Sequence, residues 1–311
     1  MSSQISKTAR YIDLQVNGYA GVDFNADSLS TEQIRHACDA MRNDHVDSCL
    51  ATVITDSLDA MITRISRLAD AAESDSEIAG VISGIHVEGP FLSPVNGYVG
   101  AHPPTAIREA NRSDAERLVE AGRGRVRLLT LAPEQDRSGA LTRWLSEQGI
   151  IVAAGHTNAS LSELDTAIDN GLKMFTHLGN ACPPEIPRHD NIIQRVLSRA
   201  ERLSISFIAD GFHIPMLALR NYLNCVPDEN VVIVSDAISA AGLGPGTYHL
   251  AGQDVHVDED GAAWAACRTH FAGCATPVQT MVGKLQSELG IDDRRIDQWT
   301  RINPAGLLAA C

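Results

Sequence analysis

The sequence lacks a long apolar run, a secretory leader and any excess of basic residues. No apolar stretch approaches the roughly 18 residues that a membrane span needs, and residues 1–16 lack the apolar core of a secretory signal. The chain carries 25 Lys and Arg residues against 39 Asp and Glu, which gives a formal net charge of −14. Binding to a nucleic-acid backbone needs a basic face that neutralises phosphates. We therefore expect a cytoplasmic protein that binds neither membranes nor nucleic acid.

The spacing of the cysteines matches no disulfide or metal motif. The seven cysteines are Cys38, Cys49, Cys182, Cys225, Cys267, Cys274 and Cys311. Their number is odd, and no two of them form a CxxC pair. A disulfide framework shows an even number of cysteines at regular spacing, and a cysteine zinc site shows closely spaced pairs. We expect free thiols in a reducing compartment.

Short β-branched runs alternate with longer amphipathic stretches along the chain. Eight runs predict strands, at 11–16, 47–54, 80–87, 126–132, 150–155, 172–176, 204–209 and 231–235. Strands that alternate with helices predict parallel βαβ units, and eight such units predict an α/β fold, a (β/α)8 barrel that forms one domain over 1–311. A hairpin-like insertion is expected at about 243–274, with helices at about 277–289 and 293–309 behind it. A doubly wound open sheet is the alternative, but no G-x-G-x-x-G motif follows the first strand.

Ionisable side chains stand where five of the predicted strands end. They are Glu88 after the third strand, His156 after the fifth, His177 after the sixth, His213 beyond the seventh and Asp236 after the eighth. Catalytic groups of a (β/α)8 barrel come from the C-terminal ends of its strands. The carboxylate of Glu88 and the imidazoles of His156 and His177 suit a catalytic Zn²⁺ that keeps one position open for water. Asp236 is then a free carboxylate that can accept and return a proton. The pattern favours a metal-dependent hydrolase over a non-catalytic binding barrel.

The motifs around these residues resemble those of the N-acetylglucosamine-6-phosphate deacetylase family of the amidohydrolase superfamily. The resemblance runs from about residue 11 to residue 309. Eight segments carry it in the family's order: DLQVNG at 13–18, HVEGPF at 86–91, GAHPP at 100–104, GHTNAS at 155–160, THLGNA at 176–181, IADGFH at 208–213, SDAISAAG at 235–242 and NPAGLLA at 303–309. Each segment alone is weak, but eight in order are specific.

The resemblance implies roles for individual residues. Glu88, His156 and His177 would hold the metal, Asp236 would be the general base and acid, and His102 would lie near the substrate carbonyl. Contacts to the sugar phosphate are implied for Asn180, Ala181, Arg188 and His213. The implied reaction hydrolyses N-acetylglucosamine 6-phosphate to glucosamine 6-phosphate and acetate. The same reaction on N-acetylgalactosamine 6-phosphate, a sugar-phosphate-binding barrel without catalysis and a phosphatase-like hydrolase remain as alternatives.

The first predicted strand bears on the number of metal ions. Most amidohydrolases carry His-x-His there, whereas this chain has Gln15-Val16-Asn17. Side-chain amides are poor Zn²⁺ ligands beside carboxylate and imidazole. We expect one divalent ion per chain, with Zn²⁺ favoured over Fe or another divalent metal, and hydrogen bonding at the barrel mouth for Gln15 or Asn17.

Outside the barrel the resemblance is incomplete. Family members carry strands before the DLQVNG motif and after NPAGLLA that together build a small β-sandwich. Only ten residues precede Tyr11 in this sequence and two follow Ala309, so we expect the β-sandwich to be missing. The resemblance also implies a homodimer in which Arg188 crosses the interface to its neighbour's site.

Other histidines have no role fixed by the sequence. His86 lies two residues before Glu88 and so shares its face of the strand. We favour a supporting role for His86 over metal binding. The roles of His189, His249, His256 and His270 stay open.

Overall fold

The computed structural model describes residues 10–310. Within them, eight parallel strands form one sheet whose order follows the chain. These strands are β1 (Tyr11–Val16), β2 (Val46–Ile54), β3 (Ile82–Glu88), β4 (Val126–Leu131), β5 (Ile151–Ala154), β6 (Leu172–Phe175), β7 (Ser204–Ile208) and β8 (Val231–Val234). Buried side chains point to both faces of most of these strands, as parallel strands covered on both faces require.

The sheet closes between its first and last strands. The backbone N–H of Asn17 donates to the carbonyl of Ala237 over 2.7 Å, and Val16 and Ala237 form a parallel bridge. The buried carboxylate of Asp13 on β1 accepts from the backbone N–H of Ser235 over 3.1 Å and from the Ser235 hydroxyl. We call this junction the seam. It confirms the predicted (β/α)8 barrel and excludes the open doubly wound sheet.

Helices follow most of the strands and cover the outside of the barrel. They are α1 (Thr31–Asn43), α2 (Leu58–Ser74), α3 (Ser76–Ala79), α4 (Arg112–Ala121), α5 (Ala140–Glu147), α6 (Leu161–Asp169), α7 (Ile192–Leu197), α8 (Met216–Cys225), α9 (Val278–Leu289), α10 (Asp293–Asp297) and α11 (Asn303–Ala309). Ser30 and Ser160 begin α1 and α6 with capping boxes, in which the hydroxyl accepts from the backbone N–H three residues later. Among residues 10–310, no helix is both long enough and apolar enough to span a bilayer.

The final predicted helix, 293–309, is divided in the structure. A π-helical turn, Gln298–Ile302, separates α10 from α11. Pro304 has no N–H to donate to the carbonyl four residues earlier, so the α-helical ladder is interrupted there. The side-chain amide of Asn303 donates to the carbonyls of Asp228 and Val231, which ties the start of α11 to the start of β8 and to the turn before it.

The segment predicted as a hairpin-like insertion contains three antiparallel strands. They are β9 (Gly246–Leu250), β10 (Gln253–Val257) and β11 (Ala263–Ala265). Leu250 and Val255 pack with Ile54 at the end of β2 and Ile238 after β8 in one apolar cluster. This small sheet therefore lies against the mouth of the barrel, next to the strand ends that carry the ionisable residues.

The cysteines that the structure describes are unpaired thiols. Cys38, Cys49, Cys182, Cys225, Cys267 and Cys274 are free, and Cys311 lies outside the described residues.

Candidate active site

Three of the predicted site residues form a compact group at the barrel mouth. Glu88 ends β3, His156 follows β5 and His177 follows β6, and all three are buried. Oε1 of Glu88 lies 3.0 Å from Nε2 of His177 and 3.4 Å from Nε2 of His156. One ligand atom from each residue falls within 4.8 Å of the others, so the group could hold a metal ion. We call these residues the ligand group.

The ligand group fits a divalent metal in its chemistry and in its orientation. Nδ1 of His156 lies 3.1 Å from the carbonyl oxygen of Tyr98. A carbonyl only accepts, so Nδ1 donates to it and Nε2 is the nitrogen that faces the group. Metal-binding histidines are fixed in this way by a partner on the second nitrogen. Two imidazoles and one carboxylate match the protein ligands of catalytic zinc sites that keep an open position.

Burial and mutual contact set the charge of the ligand group. Burial opposes the charged forms of Glu88 and His177, but the hydrogen bonds among them prevail. The pKa of Glu88 lies well below its usual value because His156 and His177 bond to it, and the pKa of His177 is raised by Glu88. Glu88 is therefore an ionised carboxylate, the form in which it binds metals.

Asp236 stands beside the ligand group without belonging to it. Its Oδ1 accepts from the Asn17 amide over 2.7 Å and from the Gln15 amide over 3.1 Å. Burial, followed by the charge of Glu88, raises the pKa of Asp236 to about 6. A carboxyl group that titrates near neutral pH suits proton transfer in both directions.

The backbone turns sharply at three of these positions. The φ angles of His156, His177 and Asp236 are 50°, 33° and 52°, in the left-handed region that residues other than glycine rarely adopt. Each of these residues lies two positions after the last residue of a barrel strand. Strained backbone of this kind clusters at functional sites, where the surrounding structure enforces it.

His102 lies against the ligand group. It comes from the loop between β3 and α4, and its Nε2 lies 3.2 Å from Nε2 of His156 and 3.9 Å from Oε2 of Glu88. Burial, followed by the charge on His156, lowers the pKa of His102 to about 3. Its ring is therefore neutral, and it can donate from one nitrogen only. Nδ1 is buried and has no partner among residues 10–310.

The cavity over the ligand group combines these polar residues with an apolar wall. Asn180 and Ala181, both predicted to contact substrate, line it. Ile54, Leu250 and Phe271 line it as well, and the sequence analysis did not identify them. Leu250 and Phe271 come from the segment after β8, where no motif marks them. The alternation of polar and apolar residues over 254–257 on β10 is the nearest sequence signal that this segment has an inner face.

His213 is held at one nitrogen and free at the other. Nδ1 lies 2.6 Å from Oδ2 of Asp210, and the side chain is only 2% exposed. Nε2 is buried and has no partner within the described chain, so it can bond to a ligand. The thiol of Cys274 donates to the same Asp210 oxygen over 3.4 Å. Asp210, His213 and Cys274 thus form a second group of possible metal ligands, and the sequence analysis missed Cys274.

Arg188 lies outside this arrangement. It is exposed on the loop before α7, with no ion pair or hydrogen bond to any residue of the described chain, and it is not among the residues that line the cavity. Its predicted contact with phosphate stays a prediction. His189 beside it is also exposed.

Four further histidines have partners away from the ligand group. His86 is buried, with Nε2 2.8 Å from the Thr130 hydroxyl, and burial lowers its pKa to about 4. His249 pairs with Asp254 over 2.9 Å. His256 and His270 lie 3.0 and 3.1 Å from the hydroxyls of Thr247 and Thr269.

Known proteins resemble this chain along nearly its whole length, although no protein-family model matches it. Human N-acetylglucosamine-6-phosphate deacetylase is 33% identical over 309 residues, which cover 96% of this chain and 73% of the human protein. The N-acetylgalactosamine-6-phosphate deacetylase of Escherichia coli O157:H7 is 28% identical over 300 residues, 96% of this chain and 77% of that protein. A mutant N-acetyl-D-glucosamine-6-phosphate deacetylase of Mycobacterium smegmatis, solved in complex with N-acetyl-D-glucosamine-6-phosphate, gives a TM-score of 0.87 at 28% identity over 97% of this chain and 77% of that one.

Proposed function

Because the chain belongs to the N-acetylglucosamine-6-phosphate deacetylase family, we propose that it hydrolyses the N-acetyl group of an amino-sugar 6-phosphate. The observation that carries this proposal is the ligand group of Glu88, His156 and His177 with Asp236 beside it. The family consists of metal-dependent amidohydrolases, which act on amide bonds. The favoured substrate is N-acetylglucosamine 6-phosphate, and the products are glucosamine 6-phosphate and acetate.

The ligand group would hold one divalent cation, for which we favour Zn²⁺ from the mixed nitrogen and oxygen donors. Such a cation polarises a carbonyl oxygen and lowers the pKa of water at the site. Gln15 and Asn17 stand where a second pair of ligands would be needed, and both amides are engaged with Asp236. This supports one metal ion per chain.

Asp236 moves the proton in both halves of the reaction. Its carboxylate accepts a proton from the water that attacks the N-acetyl carbonyl carbon, and an oxyanion forms as the carbonyl bond opens. The neutral ring of His102 donates to that oxyanion, and one such donor can contribute roughly 3 kcal/mol. Asp236 then returns the proton to the sugar nitrogen as the carbon–nitrogen bond breaks, because an unprotonated amide anion is too basic to leave.

We propose that the phosphate lies on the side of His213 and the loop that carries Arg188. The free Nε2 of His213 and the half-buried Asn180 and Ala181 support this orientation. Arg188 is the guanidinium of that loop, and its planar fork matches two phosphate oxygens. In the homodimer that the resemblance implies, Arg188 would reach the neighbouring site. The cytoplasmic location stays a prediction.

The test is a panel of N-acetylated sugars with acetate and phosphate both measured. The panel contains the gluco and galacto epimers, each with and without the 6-phosphate, and Asp236→Asn serves as the inactive control. We expect acetate from the phosphorylated gluco sugar at the highest kcat/KM. Faster release from the galacto epimer would reassign the substrate, and phosphate release would indicate a phosphatase. Binding without either product would overturn the catalytic assignment.

A further inference from the structure

Gln15 has no direct role in the proposed reaction, although it contacts two residues that do. Its side-chain Nε2 donates to Oε1 of Glu88 over 3.0 Å and to Oδ1 of Asp236 over 3.1 Å. The residue is only 1% exposed. Both hydrogens of the amide therefore go to carboxylates, one that belongs to the ligand group and one that transfers the proton.

Thr176 holds the oxygen end of the Gln15 amide. Its hydroxyl donates to Oε1 of Gln15 over 2.7 Å. The ionised carboxylate of Glu88 can only accept, so the NH₂ end of the Gln15 amide faces the two carboxylates and the Thr176 hydroxyl holds its oxygen end. Thr176 is itself buried, directly before His177 at the end of β6.

The two amide donors on Asp236 leave one of its oxygens available. Gln15 and Asn17 both donate to Oδ1, and no residue of the described chain donates to Oδ2. The amides thus fix the rotation of the carboxylate and determine which oxygen faces the cavity. They also place partial positive charge between two carboxylates that would otherwise repel each other in a buried site.

We propose that Gln15 is a positioning residue, oriented by Thr176, which holds Asp236 against Glu88 so that Oδ2 faces the attacking water. This inference rests on the proposed function for its catalytic meaning. In this proposal Gln15 takes the place that a second cation would have. Its amide donates one hydrogen bond to the base Asp236 and one to Glu88 of the ligand group.

The sharpest variant is Thr176→Val, because it keeps the shape of the side chain and removes only the hydroxyl. Thr176→Ser restores the hydroxyl. Thr142→Val is the matched control, because the Thr142 hydroxyl is also buried and donates to a side-chain oxygen over 2.8 Å, on α5 and away from the cavity. Acetate release, KM and bound metal are measured for all three variants.

We expect Thr176→Val to lower kcat by about five- to tenfold, the factor that corresponds to about one net hydrogen bond. KM should stay within about twofold and the metal content should not change, because neither the ligand group nor the phosphate side is altered. Thr176→Ser should recover most of the loss, and Thr142→Val should leave kcat within about twofold. A Thr176→Val enzyme with parental kcat, or an equal loss in Thr142→Val, would overturn the inference.

A second measurement does not depend on catalysis. In urea unfolding of the metal-free protein, Thr176→Val and Gln15→Leu should be non-additive, because each removes the same interaction. Strict additivity would overturn the contact. If the parent protein releases no acetate, the proposed function fails, but this cycle still decides whether Thr176 and Gln15 act as a unit.

Discussion

The two sides of the candidate site differ in how their residues are held. On the catalytic side, Glu88, His177 and Asp236 are buried, and each accepts or donates hydrogen bonds to another polar group. On the side where we propose that the phosphate binds, Arg188 is exposed without a partner in the described chain, and His213 is bonded at one nitrogen only.

This difference indicates where each side obtains its order. The catalytic side is preorganised by the fold of one chain, so its donors are in place before substrate arrives. We propose that the phosphate side is completed by the ligand or by a second chain, in which case part of the binding energy would be used to order Arg188. Substitutions on the first side should therefore change turnover, and substitutions on the second should change KM.

The largest effect is expected on the catalytic side, from Asp236→Asn. The amide cannot accept a proton from water, so kcat should fall by about 10²–10⁴-fold, while KM and bound metal stay close to the parental values. Acetate release and elemental analysis measure the two outcomes. Asp165→Asn, an acidic residue on α6 that pairs with Arg199, is the control. Turnover within tenfold of the parent would remove Asp236 from the mechanism.

The phosphate side is tested by Arg188→Ala. A hydrogen bond to a charged group contributes about 1.5–3 kcal/mol, so KM for the phosphorylated sugar should rise by roughly 10- to 100-fold. The unphosphorylated sugar should be almost unaffected. Arg117→Ala, on the outer helix α4 where Arg117 pairs with Asp59, controls for the loss of positive charge. An equal change in KM for both sugars would contradict the assignment of Arg188 to the phosphate, and the two sides of the site would no longer differ in this respect.

The pH dependence of kcat/KM also distinguishes the two sides, because we expect it to arise from Asp236 on the catalytic side. Asp236 must be ionised to accept a proton, and its pKa is raised to about 6. The active fraction therefore declines as the pH falls through about 6, and kcat/KM should drop about tenfold for each further pH unit. Rates with metal content monitored provide the measurement. Arg188→Ala should keep the same profile, and a parental profile that is flat down to about pH 4 would contradict the role of Asp236.

The smallest expected effect is that of Gln15→Ala on metal content. Elemental analysis should find one divalent ion per chain, and Gln15→Ala should leave that number unchanged, because Gln15 bonds to carboxylates rather than to the metal. His156→Ala, which removes a member of the ligand group, should lose the ion. Two equivalents in the parent, or loss of metal from Gln15→Ala, would assign Gln15 to the metal site.

The strand ends could be predicted from sequence because their signal is local. A largely apolar run that stops at Glu88 or before His177 marks both a strand and its C-terminal end, and barrel geometry brings those ends together. The contact between Thr176 and Gln15 joins residues 161 positions apart, and the direction of an amide has no periodic signature. For Arg188 the sequence identifies the positive charge, but the exposure and the partners of this side chain depend on tertiary structure.

The apolar wall of the cavity also could not be predicted from the sequence. Leu250 and Phe271 reach the site because a small sheet packs against Ile54 and Ile238. Packing of this kind follows from surface complementarity between distant segments. The divided helix after α10 was predictable in part, since Pro304 is visible in the sequence, but the bonds of Asn303 to the loop before β8 were not.

The seam gives the order in which the site can be assembled as the chain folds. Asn17 and Asp236 meet across it although 219 positions separate them, whereas the ligand group comes from strands between them. Contacts of such long range form late, because loop closure must precede them. During refolding, metal binding should therefore recover before acetate release, and stopped-flow metal uptake compared with the regain of turnover would measure the delay. Turnover in this protein thus reports that the first and last strands of the barrel have met.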